Sequence, residues 1–201
     1  MKISMFKTVT LLFLFTLSLG NVYAQRVKGN GKMINKTRNV GSFDGVGVSG
    51  SFDVILVAGN EGKLVIRVEE NLAPYLITEV NNGKLKIRWK KGTNIRTSKS
   101  TEVRVHFKEI NSLAMSGSGD ISSEDVIRGK SLDMAVAGSG DIKLDIEVQQ
   151  AESAVSGSGD IELSGKATEF EAAVSGSGDI EAYDLKTEKA QLKVAGSGSI
   201  E

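Results

Sequence analysis

Gly117-Ser118-Gly119-Asp120-Ile121 recurs at residues 138–142, 157–161 and 176–180, and Gly196-Ser197-Gly198-Ser199-Ile200 keeps every residue but the Asp. The copies begin 21, 19, 19 and 20 residues apart. Self-similarity at such a period marks a repeat architecture, in which each unit buries its apolar side against its neighbours. The motif has the chemistry of a corner. Gly takes positive φ without Cβ strain, and a turn Asp accepts hydrogen bonds from nearby backbone N–H groups.

The stretches around each copy alternate. Leu132-Asp133-Met134-Ala135-Val136 precedes one corner and Ile142-Lys143-Leu144-Asp145-Ile146 follows it. A period of two makes half-buried strands, not helices. At about 3.3 Å per residue, each repeat closes a coil of two or three short strands plus turns. Ser118, Ser139, Ser158, Ser177 and Ser197 then stack about 4.8 Å apart. Low aromatic content (5%) and 23 glycines fit a narrow interior of Ala, Val, Ile, Leu and Met.

Upstream the pattern loosens. Val48-Ser49-Gly50-Ser51-Phe52-Asp53-Val54 reads as a degenerate copy of the corner, and residues 71–75, with the only proline, as a connection. Asn82-Gly83 between Ile77-Thr78-Glu79-Val80 and Leu85-Lys86-Ile87-Arg88-Trp89 predicts a two-residue hairpin. Val103-Arg104-Val105-His106-Phe107 is a further alternating strand. The residues thus predict an all-β solenoid over 38–201, with regular repeats at 111–201 and irregular coils plus an antiparallel hairpin excursion at 38–110.

The first 24 residues carry Lys2 and Lys7, an apolar run at 9–19 and Val22-Tyr23-Ala24 before Gln25. This is the pattern of a signal peptide, and the run is shorter than the roughly 20 residues of a spanning helix. Export is therefore expected, with cleavage after Ala24, a flexible segment at 25–37 and no transmembrane span in the mature chain. The absence of cysteine excludes disulfides, thiolate metal sites, a Cys nucleophile and a lipid-bearing Cys. Net charge is zero, yet residues 25–110 hold 16 Lys/Arg against 8 Asp/Glu, and residues 111–201 hold 7 against 17. The mature chain is a dipole, offering two differently charged surfaces or a contact between halves.

Phe43-Asp44-Gly45-Val46, Val48-Ser49-Gly50, the Asn82-Gly83-Lys84-Leu85 hairpin and the repeated Ser-Gly-Ser-Gly-Asp-Ile together resemble a family of bacterial cell-envelope proteins. That family is described as putative auto-transporter adhesins, head GIN domain. The resemblance runs over residues 38–201. It implies a single-stranded, right-handed parallel β-helix-like solenoid, and a surface role that fold alone does not specify. A translocating barrel is not expected after Ile200, so an adhesin head would be expected to reach the surface by another route. The last coil is expected to be uncapped, its edge covered by further chain, a partner or a second copy.

Three groups of residues are candidates for chemistry. Asp120, Asp141, Asp160 and Asp179 align along one edge and faintly resemble glycine-aspartate repeats that bind calcium. Those repeats have a nine-residue period, so that two loops share an ion, whereas here one loop recurs per coil. Carboxylates about 5 Å apart repel by only about 1 kcal/mol in water. Turn structure is the favoured reading and calcium the sharper alternative. Lys84, Lys86, Arg88 and Lys90 alternate with Leu85, Ile87 and Trp89, so one strand shows a basic face. Lys91, Arg96, Lys99 and Arg104 extend the charge. This is a solvated strand edge, or a patch for an anionic glycan or envelope polymer. His106, the only histidine, stands in an alternating strand without a partner motif, which argues against a catalytic base.

Catalysis is not expected. Repeated serines have no strained elbow, and repeated Asp residues share one environment, whereas acid and base roles need unlike ones. The leading expectation is a non-enzymatic envelope or surface module, in the periplasm, at the outer membrane or outside the cell, that binds a polysaccharide or a protein. An assembly component pairing through its open last coil comes second, and a polysaccharide-degrading enzyme third. Nucleic acid is excluded by export, neutrality and the lack of exposed aromatic platforms.

Overall fold

The computed structural model describes residues 25–201; the signal peptide expected at 1–24 lies outside the described residues. The fold is all-β, a curled mixed sheet forming a half-barrel, with one turn of 3-10 helix at Ala73–Tyr75 where the only proline sits. Its strands are β1 (Gln25–Lys28), β2 (Met33–Asn39), β3 (Gly45–Gly50), β4 (Asp53–Ala58), β5 (Lys63–Glu69), β6 (Leu76–Asn81), β7 (Lys84–Trp89) and β8 (Thr93–Arg96). There follow β9 (Glu102–Phe107), β10 (Ser112–Gly117), β11 (Ile121–Ser123), β12 (Ile127–Arg128) and β13 (Ser131–Gly138). Three long strands close the chain: β14 (Ile142–Gly157), β15 (Ile161–Gly176) and β16 (Ile180–Gly196).

From β10 onward the pairing follows the repeat. The first part of β14 pairs in parallel with β11 and β12, and its second part with β13. β14 then pairs along its length with β15, and β15 with β16. Each long strand therefore serves two faces, and equivalent residues of successive repeats stack. Val103, Val54, Ile121, Ile142, Ile161 and Ile180 form one such row, every member 0% exposed. Burying each isoleucine contributes about 1.5–3 kcal/mol. A facing row runs Ile87, Val48, Met115, Val136, Val155 and Val174. The alternation read from sequence is this inward face.

The corner glycines have two separate reasons to be glycine. Gly117, Gly138, Gly157, Gly176 and Gly196 all have φ between 133° and 142°, where a Cβ is strained. Gly140, Gly159 and Gly178 lack the positive φ, and for them close approach alone decides: a Cβ on any of them, as on Gly138, Gly157 and Gly176, would overlap the carbonyl oxygen of the equivalent glycine in the preceding repeat.

Residues 25–110 build the same two faces in a different order. β3 and β4 are joined by the degenerate corner, Gly50 pairing with Gly117 and Val54 with Ile121. Beyond them lie β7, parallel to β3, and β9, parallel to β4. β7 and β9, later in sequence, thus lie outside β3 and β4. The hairpin forms where expected, β6 antiparallel to β7, with Asn82 and Gly83 at φ 51° and 73°. Both central residues at positive φ are what a two-residue hairpin loop needs. On the other face β5 runs antiparallel to β9, and β2 antiparallel to β5.

The segment 25–37, expected to be flexible, instead holds β1 and the start of β2, joined by residues 29–32. β1 pairs in parallel with β8, and β2 with β5 over seven residue pairs. Its short polar alternation is held by the buried carboxylate of Glu69, 0% exposed, which accepts from the N–H groups of Gly31 and, at 2.8 Å, Ser98. Tertiary hydrogen bonds override weak local propensity here.

Candidate functional site

The turn aspartates are joined to one another. Asp141 N–H donates to Asp120 Oδ1 at 3.2 Å, Asp160 N–H to Asp141 Oδ1 at 2.8 Å and Asp179 N–H to Asp160 Oδ1 at 2.7 Å. Ser199, where the Asp is missing, donates both its N–H and its hydroxyl to Asp179 Oδ1, at 2.6 and 2.9 Å. Each carboxylate thus caps the next corner's backbone, while Ile142 and Ile161 N–H donate to the carbonyls of Asp160 and Asp179. The acceptor role read from sequence is real, but it runs between repeats and not within the turn. Among the described residues no three His, Asp or Glu side chains are placed to hold a metal ion.

Such bonds to a charged acceptor are worth more than neutral ones. Asp160→Ala, which orphans the Asp179 N–H, is expected to lower stability by about 1–2 kcal/mol, and Asp160→Asn, which keeps an acceptor oxygen, by under about 0.5 kcal/mol. Urea unfolding of the two variants checks the difference, and the ordering should not change when calcium is replaced by chelator.

Beside the ladder runs an open groove of about 500 Å³ lined by Asp53, Glu102, Asp120, Asp141, Asp160 and Glu162, with Ile55 and Lys143. Burial pushes the Asp53 carboxyl above its ordinary range, against a lowering hydrogen bond from the Asp120 backbone, and the charges of Asp120 and Glu102 add to the rise. Lys143 is spent on Glu162, with Nζ 2.7 Å from its carboxylate. The groove presents the corner carboxylates Asp120, Asp141 and Asp160 at equivalent positions of successive repeats.

The basic strand is dispersed by the fold. β7 is not an edge strand, since it lies between β3 and β6. Lys84 and Lys86 are exposed on its outer face, opposite Gly45 and Gly47 on one side and Asn81 and Glu79 on the other. Arg88 is half-buried and ion-paired with Glu79 at 3.0 Å. Lys90 lies past the end of β7, its N–H bonded to the Tyr75 carbonyl and its own carbonyl accepting from Thr93. Arg104 belongs to the other face and pairs with Glu124, a bond that holds its guanidinium above its ordinary range. His106 places Nδ1 3.1 Å from the Lys63 carbonyl oxygen, a structural partner.

One cationic group was only partly read from the sequence, which counted Arg96 with the basic strand but not Arg26 or Lys28. β1 and β8 set Arg26 beside Asn94 and Lys28 beside Arg96, all exposed, while Val27 and Ile95 pack against the core. Arg26-Val27-Lys28 and Asn94-Ile95-Arg96 each alternate, but runs of three carry too little periodicity to be read as strands alone.

Outside the basic strand, the outer face is flat. Gly47, Ala114, Ala135, Ala154 and Ala173 form one row, and Ser49, Ser116, Ala137, Ser156 and Ser175 the next. A third row holds Asp133, Glu152 and Glu171. The two oppositely charged surfaces expected from the count of residues are partly realised here, with Lys84 and Lys86 at one end and the acidic row toward the other.

No helix among the described residues is long and apolar enough to cross a membrane. Comparison with curated proteins finds no match. Among solved structures, the chain is similar to one from Parabacteroides distasonis named as a putative lipid binding protein (26% identity, TM-score 0.72, covering 88% of this chain and 84% of that one). A second from the same organism, named as a putative adhesin, matches at 25% identity and TM-score 0.69 over 88% and 84%. A putative adhesin from Parabacteroides merdae shares the fold at 22% identity and TM-score 0.69, over 88% of this chain and 83% of that one. These neighbours carry adhesin or lipid-binding names, not enzyme names. The family model described as "Putative auto-transporter adhesin, head GIN domain" matches residues 42–201, and the chain belongs to that family.

Proposed function

We propose that the protein is an exported, non-enzymatic module of the cell envelope or surface, adhesin-like in role, which binds an extended glycan or a protein through its open outer sheet face. The regular half is read as coils of a right-handed parallel β-helix, since each repeat stacks on the next in parallel register, with one bulge between Glu162 and Ser164 where β15 meets β16. The observation that carries the reading is the pair of Ala and Ser rows on the exposed face of β3, β10, β13, β14 and β15. Side chains this small leave the backbone surface level, and the same groups return every repeat, about 4.8 Å apart. A polymer with its own repeat meets equivalent contacts along its length, and many weak contacts add through avidity. The family's adhesin description supports a surface role, and Lys84 and Lys86 at one end would favour acidic partners.

Glycan-array binding of the exported form, residues 25–201, with calcium and again with chelator, tests this. Reproducible binding to an extended polymer is expected, equal in both buffers, and lost on Ala135→Arg, which raises a bulky charge from the middle of the face. Binding left intact by Ala135→Arg, or no binding of any glycan by folded protein together with no captured envelope protein, contradicts the reading.

Assembly is the second reading. Tyr183, Leu192 and Val194 on β16 are 71%, 52% and 49% exposed, although Leu192 and Val194 sit in register with buried Ala172 and Val174. Association through this strand would appear as a concentration-dependent rise in mass, abolished by Val194→Lys.

A further inference from the structure

We propose that the β1–β8 ribbon is a subsite for a polyanionic glycan, one bearing carboxylates or phosphates; this rests on the glycan reading above and names the element that takes the charge. In a parallel pair, residues in register share a face. Arg26, Lys28, Asn94 and Arg96 therefore point outward together, and Lys28 stands directly across from Arg96. Like charges directly opposite across two strands are destabilising. Six ion pairs occur among the described residues, but none involves Arg26, Lys28 or Arg96. The sequence spends its acids elsewhere and leaves these three cations facing solvent.

The ribbon is also held so that the repulsion is not relieved by fraying. Gly29 N–H donates to the Arg96 carbonyl at 2.8 Å, and Asn71 Nδ2 to the Lys28 carbonyl at 2.8 Å. Glu69 ties down both strands from beneath through Gly31 and Ser98. Its carboxylate accepts backbone N–H groups there and makes no ion pair with the outward cations. A site held rigid in this way loses little entropy on binding.

The spacing fits an acidic chain. Lys28 and Arg96 lie about 4.8 Å apart across the ribbon, close enough for one carboxylate or phosphate to bridge them. Arg26 lies two residues back, about 6.6 Å along the strand, so a second acid group on the same chain can reach it. Asn94, beside Arg26, supplies an amide for a sugar hydroxyl. A membrane surface fits less well. Interfacial docking buries exposed apolar side chains, whereas Val27 and Ile95 face the core, and the large exposed apolar residues lie on β16.

The test compares two triple variants of equal net charge. Arg26→Gln with Lys28→Gln and Arg96→Gln removes the ribbon; Lys130→Gln with Lys166→Gln and Lys186→Gln removes three exposed cations elsewhere, two of them also in register across a strand pair. Each is titrated with polygalacturonate, with neutral dextran, and with vesicles of phosphatidylcholine containing phosphatidylglycerol. The ribbon variant should bind polygalacturonate at least about tenfold more weakly than the unsubstituted protein, and the control within about threefold. Its melting temperature at low salt should be equal or higher, because a repulsion has gone, so a lost interaction cannot be charged to misfolding. Equal weakening in both variants, or binding of dextran but not polygalacturonate, overturns the ribbon and leaves the glycan reading standing. Ribbon-dependent binding to vesicles stronger than to the polymer overturns the choice of occupant. Failure to bind any glycan overturns both.

Discussion

Gly159→Ala is expected to abolish the native fold, or to cost more than about 4 kcal/mol if the chain still folds, a size reserved for backbone clashes and buried charges. The reason is specific to the repeat. Gly159 lies in ordinary backbone φ, so conformational strain is not the argument. A methyl group there would overlap the Gly140 carbonyl oxygen and crowd Val136, and neither backbone can retreat. Both rungs are hydrogen-bonded on each side, with Ser158 N–H to the Gly138 carbonyl at 2.8 Å and Ser177 N–H to the Gly157 carbonyl at 2.8 Å. Opening the spacing at one corner therefore breaks neighbouring bonds too. Ser158→Ala, one residue away and exposed, is the control, expected within about 0.5 kcal/mol of the original protein. Thermal and urea unfolding of the pair checks both.

Glu69→Ala should be the next most damaging change, at about 3 kcal/mol. Removing a buried acceptor leaves its donors unsatisfied at about 1–3 kcal/mol each. Here the Gly31 and Ser98 N–H groups both lose their partner, and the space beneath Gly29 empties. Glu69→Gln keeps the shape, but turns one oxygen into an amide that faces an N–H donor, so it should recover less than half of the loss. The damage should be local. Hydrogen exchange is expected to rise in residues 25–31 and 93–101 while the amides of β14 and β15 stay protected, a pattern of sub-global opening. Uniform loss of protection would instead make Glu69 part of the main core.

How much of this was readable from sequence depends on where each constraint is written. The corners were legible because their requirement is local and repeated: glycine at positive φ, glycine at close approach and Asp as acceptor recur in one five-residue motif. The hairpin was legible for the same reason, since Asn82-Gly83 is itself the turn. Strand order was not. β7 and β9 follow β3 and β4 in the chain but lie outside them, and alternation in Leu85 to Trp89 is the same for an edge strand as for one between two neighbours. For that reason the basic strand looked continuous, while the fold sends Arg104 to the other face and gives Arg88 to Glu79. Glu69 and Glu70 show the limit most plainly. They are adjacent and chemically identical, yet one is wholly buried and the other pairs with Lys32 at the surface. Only contacts from residues 38 and 29 positions away decide which is which.

The repeated corners hold the molecule together, and its faces are the proposed binding surface. Glycan affinity, by titration of residues 25–201, in a variant carrying both Asp141→Asn and Asp160→Asn separates these two roles. Affinity should match that of the unsubstituted protein within about twofold, with at most a small loss of stability, because Asn still accepts the next corner's N–H. Loss of binding by a protein that remains folded would place the ligand on the aspartate ladder and contradict the account.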